Sequence, residues 1–301
     1  MSRFLVRLGV SLGVIAALLW WTDATRVAEH LLTLDPGWVG LSILATTCAT
    51  LSMAYRWQLT ASRLGIRFDY PFAVREYYIA QLVNSVLPGG VPGDVARAVR
   101  TRKEAGLKSA AKSVVAERIL GQIAIMSILF FGVLTSLLWP GAFHNPTLSM
   151  TVLIVLLAAL ILVAALAISF APVGEFVLFL LRLQGQTVFI ALAIVSSACL
   201  VFGFYASARA AGTEIPPEGL VIVIPLVLCA MLIPLSVAGW GWREGAAAAL
   251  FPVVGASSSA GVAAGITYGA VILFAALPAV AILLWPGTIE TQSSTGKRNS
   301  V

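Results

Sequence analysis

The sequence predicts an all-α, polytopic membrane bundle: six spanning helices plus two broken, re-entrant helix pairs in an inverted repeat. Three observations lead there. Hydrophobic residues make up 59% of the 301-residue chain and charged residues only 11%, where a soluble domain carries about 25% charged residues. Apolar runs recur at lengths that cross a hydrocarbon core of about 30 Å, which takes roughly 17 to 25 helical residues. Two glycine-broken, charge-bearing segments interrupt these runs half a chain apart: Asn84-Ser85-Val86-Leu87-Pro88-Gly89-Gly90-Val91-Pro92-Gly93-Asp94 and Ser236-Val237-Ala238-Gly239-Trp240-Gly241-Trp242-Arg243-Glu244. Such interruptions at corresponding places in two halves are the best sequence pointer to a transporter-type site.

Each element follows from its own stretch. Leu8 to Trp21, flanked by Arg3 and Arg7, is the shortest span and reaches a marginal length when extended back to Phe4. It resembles the core of a cleaved signal peptide, but the Trp20-Trp21 pair reads as an interfacial belt on a retained first helix. Trp38 to Tyr55 is the second span. Ala73 to Leu87 is apolar yet carries Tyr77, Tyr78, Gln81 and Asn84 before the first break. That polar stripe suits a half-helix facing a site, and equally helix–helix hydrogen bonding.

Val95 to Lys112 is a cationic helix candidate, because Arg100, Glu104, Lys108 and Lys112 recur every four residues and pair along one face. It reads either as a solvated helix or as one lying on anionic headgroups. Val114 to Trp139, Leu148 to Ala171, Gln186 to Ala208 and Ala260 to Trp285 complete the spans. Leu220 to Val237 is apolar and breaks at Gly239, and the alanine-rich Arg243 to Val254 is too short to cross alone. Residues 1–287 form a single transmembrane domain with halves of about 1–139 and 148–287, and 288–301 are a disordered cytoplasmic tail.

Charge placement orients the bundle. The net charge of +6 could suggest nucleic acid, but Lys and Arg gather near the amino terminus, between Arg56 and Arg118, and in the tail. With both termini in the cytoplasm, all of the 19 Lys and Arg except Arg26, Arg209 and Arg243 fall on or at the cytoplasmic side. The partner implied is anionic lipid of the cytoplasmic membrane, not nucleic acid. Thr22 to Gly37, Pro140 to Pro146 and Arg209 to Glu218 then lie outside, while Arg56 to Arg75, Arg97 to Arg118 and Glu175 to Arg182 lie inside. The first half runs span, span, broken pair, span from the cytoplasm, and the second repeats that order from outside.

The chemistry sits at the breaks. Cutting a helix in a membrane frees backbone N–H groups, and a half-helix amino terminus offers them to a phosphate or carboxylate. Gly89, Gly90 and Gly93 in the first segment, and Gly239 and Gly241 in the second, permit close backbone approach. Ionisable residues at membrane depth are functional candidates: Asp94 with Arg97, Glu117 with Arg118, and Arg243 with Glu244, joined by Asn84. They can pair with one another to pin the broken helices or contact a ligand, and arginine suits both. Trp240 and Trp242 read as interfacial anchors or ligand stackers.

Other chemistries find no support. Cys48, Cys199 and Cys229 lie singly in apolar runs, and His30 and His144 in external loops. No GxSxG, HExxH or P-loop motif occurs, so neither an enzyme, a metal nor a cofactor is expected.

At these residues the chain resembles the lysylphosphatidylglycerol synthase transmembrane family, also described as flippase-like domain proteins. The matching pieces are Asn84 to Asp94 with Arg97, Glu117-Arg118 followed by Gly121, and Pro234 to Glu244. The resemblance implies a membrane domain of the type that, in multiple peptide resistance factors, moves aminoacylated phosphatidylglycerol between leaflets. Those proteins carry a cytoplasmic aminoacyl transferase domain after the membrane part, whereas here a short polar tail follows, so synthesis of the lipid is not expected. Stand-alone members are similar to proteins associated with glycolipid, polyprenyl-linked sugar and hopanoid pathways. The expected function is a lipid translocase moving a phospholipid or lipid-linked glycan. The alternatives are a non-transporting scaffold or accessory protein for a lipid- or glycan-synthesising enzyme, docking through the cationic segment, and, further off, a small-solute carrier.

Overall fold

The computed structural model describes residues 13, 16–87, 90–138, 146–231 and 239–284, which contain no strand. The helices are α1 (Ala24–Leu32), α2 (Pro36–Ser62), α3 (Tyr70–Val86), α4 (Pro92–Leu138), α5 (Pro146–Ser169), α6 (Ala171–Gln184) and α7 (Thr187–Ala210). A π-helical turn over Gly219–Val223 runs into α8 (Ile224–Ala230), followed by α9 (Trp242–Leu250), α10 (Ser258–Ala275) and α11 (Pro278–Leu284). Local chemistry marks the starts. Asp35 precedes Pro36 and accepts from the N–H groups of Gly37 and Trp38 at 2.7 and 3.2 Å, and Asp69 caps α3 through Phe72 at 3.1 Å.

Five helical stretches among the described residues are long and apolar enough to cross a membrane: Pro36–Ser62, Ala105–Leu138, Thr147–Ser169, Thr187–Ala210 and Ser258–Leu284. The chain is a polytopic helical membrane bundle. The sixth expected span falls mostly outside the described residues. Its residues 16–22 are helical, and Leu18 and Leu19 pack with Ala248, Val262 and Ala263. Gly89, the residues 232–238 before the second break, and the tail 288–301 also lie outside the described residues.

The expected broken pairs are helical hairpins. In the first, α3 turns through Gly90 into the start of α4; in the second, α8 precedes α9 across Gly239 and Gly241. Glycine is required where these hairpins pack. A Cβ on Gly93 would meet the Ala80 carbonyl oxygen at 2.2 Å, so α3 and α4 touch backbone to backbone. Gly90, Gly239 and Gly241 hold φ of 62°, 80° and 91°, a region side chains disfavour.

The core is a pairing of α2 with α7, the second span of each half. Ser42 Oγ donates to the Gly203 carbonyl at 2.7 Å, Ser52 to that of Leu192 at 3.1 Å, and Arg56 to Ser196 Oγ at 2.9 Å. Asp35 at the start of α2 meets Ala210 at the end of α7, and Arg63 at the end of α2 meets Gln186 at the start of α7, so the two run antiparallel. Small residues make the approach possible, as in membrane interfaces generally. On α10, Gly261, Gly265 and Gly269 recur every fourth residue and let α9 lie against it: a Cβ at Gly261 would stand 2.4 Å from the Ala247 carbonyl oxygen.

Four sequence expectations are corrected. The span ending at Tyr55 continues to Ser62, because Arg56, expected in a cytoplasmic loop, is buried and neutralised. The continuous cationic helix Val95 to Lys112 breaks at Ala105 and Gly106, where Gly106 holds φ 80°. Arg100, ahead of the break, pairs with Glu76 of α3. Thr22 to Gly37 contains α1, with His30 Nδ1 bonded to the Ala211 carbonyl at 2.8 Å, and Glu175 to Arg182 lies within α6.

Candidate functional site

The first hairpin and α4 carry a buried ion-pair network. Glu117, on α4 and fully buried, accepts from Arg56 at 2.8 Å through Oε1; through Oε2 it accepts from Arg97 at 3.3 Å and from the Tyr77 hydroxyl at 3.1 Å. Arg97 also pairs with Asp94 at 3.0 Å. Its guanidinium lies between two rings, 4.7 Å from the Trp57 centroid and 4.6 Å from that of Tyr77, a cation–π arrangement that offsets part of its desolvation. Asn84 braces the turn, accepting from Gly93 N–H at 2.7 Å and donating to Asp94 at 3.2 Å. Arg118 reaches back from α4 to the Gly90 carbonyl at 3.2 Å and to Asp94. Gly121 leaves the space that Arg56 fills, since a Cβ there would stand 2.7 Å from its Nη2.

The second hairpin carries a smaller version of the same device. Arg243 Nε donates to Glu244 at 3.0 Å, and Glu244 also accepts from Gly241 N–H at 2.6 Å, closing the first turn of α9. The Arg243 guanidinium stacks on Trp240 at 4.7 Å and occupies the notch at Gly269, where a Cβ would stand 2.2 Å from Nη2. In both halves a buried arginine fills the place of a missing side chain on the long helix that follows the hairpin.

Both hairpin turns face one cavity of about 490 Å³. Gly90 and Val91 contribute from the first turn, Gly239 and Trp240 from the second. Of the residues expected at the site, Asn84, Gly90, Asp94, Glu117, Arg118, Gly239 and Arg243 line it. Four others sit behind the wall. Gly93 packs on α3, Gly241 and Glu244 close the turn of α9, and Arg97 is enclosed by Trp57 and Tyr77, so these position the lining groups without facing the cavity. The side chain of Arg118 is 47% exposed, whereas those of Arg56, Arg97 and Arg243 are each 1% exposed. Of these four arginines Arg118 is the most exposed.

A family model described as the lysylphosphatidylglycerol synthase TM region matches residues 5–279. The chain belongs to this family. No curated protein matches it. The match takes in both hairpins and every lining residue named above, so the cavity lies wholly within the region that defines lysylphosphatidylglycerol synthase membrane domains.

Sequence reasoning missed several wall residues of this family member. Arg56 was assigned to topology, although an arginine at the end of an apolar run is also what a buried partner for Glu117 looks like. Tyr77 and Gln81 belonged to the recognised stripe but not to the expected site; Gln81 lines the cavity and accepts from Thr50 at 3.0 Å. Tyr268 and Gly269 lie in an uninterrupted span, where only the four-residue glycine spacing marked the helix as a close-packing one.

Proposed function

We propose that this protein is a non-enzymatic lipid translocase of the cytoplasmic membrane. It moves a phospholipid or lipid-linked glycan between leaflets, with both termini cytoplasmic. The observation that carries the reading is the convergence of two glycine-broken hairpin turns, from different halves of the chain, on one cavity with charged and apolar walls. Arg118, Asp94 and Asn84 offer headgroup contacts, while Ile119, Leu228 and Ile272 suit the start of an acyl chain. The antiparallel α2–α7 pair supports an inverted repeat, in which rocking of one half against the other carries the site between leaflets.

The test is translocation in liposomes, read by dithionite bleaching of fluorescent phospholipids. The reconstituted protein is expected to expose inner-leaflet label, and Arg118→Ala to slow the process. Bleaching that never exceeds protein-free liposomes for any phospholipid or glycolipid sinks the proposal.

A scaffold reading is kept by one observation: Arg102, Lys103 and Lys108 are exposed on either side of the Gly106 break. Charge reversal there would abolish function under that reading, with Arg118 substitutions silent. The opposite pattern favours transport.

A further inference from the structure

Four guanidinium groups, of Arg56, Arg97, Arg118 and Arg243, cluster at the cavity with three carboxylates, of Asp94, Glu117 and Glu244. The cluster thus carries one uncompensated positive charge among the described residues. Three of the four guanidiniums are buried, and Arg118, at 47% exposed, is the one an incoming counter-charge can reach. The excess is localised by the pairing pattern. Arg56 is held by Glu117 and Ser196, Arg243 by Glu244, and Arg97 by Asp94, Glu117 and two rings. Among the described residues Arg118 holds the Gly90 carbonyl and Asp94, and Asp94 retains Arg97 and Asn84 if Arg118 leaves it. An arginine has five N–H donors in a fork that matches two phosphate oxygens, so Arg118 can turn to an incoming oxyanion without orphaning Asp94.

We infer that the cavity binds a single lipid bearing one net negative charge at a phosphodiester, and that Arg118 contacts that phosphate after exchanging Asp94 for it. A lipid is favoured over a soluble phosphate because the surroundings of Arg118 are apolar. Val91, which lines the cavity, and Val115, one turn from Arg118, are each about half exposed, and Ile119 continues the wall. This inference rests on the reading of the cavity as a headgroup site.

The experiment is native mass spectrometry of the full chain in detergent with dioleoyl phosphatidylglycerol, dioleoyl phosphatidylcholine or dioleoylglycerol. One phosphatidylglycerol is expected to be retained at least about tenfold better than the other two, the worth of one charge-assisted hydrogen bond. Arg118→Gln should erase that preference, Arg118→Lys should keep part of it, and Arg102→Gln with Lys103→Gln and Lys108→Gln, on the surface, should leave it intact. Equal retention of phosphatidylcholine, a preference surviving Arg118→Gln, or one lost with the surface triple variant overturns the inference. Displacement of the lipid by chain-free glycerophosphoglycerol at equal concentration overturns its lipid half. Phosphatidylglycerol binding through Arg118 without translocation in liposomes leaves the inference standing and removes the translocase reading. Translocation together with a phosphatidylglycerol preference that survives Arg118→Gln does the reverse.

Discussion

Glu117 pairs with two arginines at once, and the side chains of both are buried. Removing one member of a buried ion cluster typically costs about 3–5 kcal/mol, because the charges left behind stay buried. Glu117→Ala is therefore expected to lower the thermal unfolding midpoint in detergent markedly, while Arg118→Gln, at a half-exposed side chain, changes it little. An unchanged midpoint for Glu117→Ala would remove the network from the account of stability. The glycines offer a second contrast. Gly269→Ala forces a methyl into the Arg243 guanidinium and is expected to cost about 1–3 kcal/mol, as overpacking does. Gly40→Ala on α2 meets open space and is expected to be neutral or to gain up to about 1 kcal/mol from helix propensity. Paired unfolding curves check both, and equal shifts would contradict the packing described.

At the scale of elements, five of the six expected spans and both breaks were legible because length, apolarity and glycine-proline punctuation are properties of continuous sequence. What was illegible depends on partners far along the chain. Arg56 looks like a loop cation until Glu117, on another helix, is placed beside it at 2.8 Å. Arg100 reads as part of a four-residue ladder within one helix, yet it pairs with Glu76 of α3, and the positive φ of Gly106 ends that helix before Lys108 and Lys112. The candidate site was legible as a set of residues but not as an inside and an outside, since whether Arg97 or Arg118 faces the cavity depends on where Trp57 and Tyr77 lie. The antiparallel α2–α7 pairing yields its own test. In a chain whose Cys48, Cys199 and Cys229 are replaced by Ala, Ser42→Cys with Ser207→Cys is expected to form a disulfide on mild oxidation, as the two hydroxyl oxygens stand 2.9 Å apart. A band that never shifts on a non-reducing gel would argue against this register.

For the whole molecule, α2 sets the transverse axis. The Asp35 N–H donates to the Ala210 carbonyl at one end, and Arg63 meets Gln186 at the other. Lys108 follows the Gly106 break, in the segment where Ala110 packs with Ala61 near the second end, and Glu214 follows α7 at the first. Cysteines at Lys108 and Glu214 are therefore expected to react with impermeant maleimide from opposite faces, Lys108→Cys from the cytoplasm. Labelling of both from one face would refute the orientation. One helix stands apart from this frame. In the most apolar stretch of α5 only 6% of the residues are buried within the protein, which leaves almost the whole stretch open to its surroundings. It turns into α6 at a tight elbow, where a Cβ on Gly174 would lie 2.6 Å from the Ala167 carbonyl oxygen, and α6 holds Lys112 of α4 over Phe179 at 4.6 Å. A spanning helix answers a thinner or thicker bilayer by tilting, so bilayer thickness is expected to set the tilt of α5, and α6 ties that helix to Lys112 of α4, just beyond the Gly106 break.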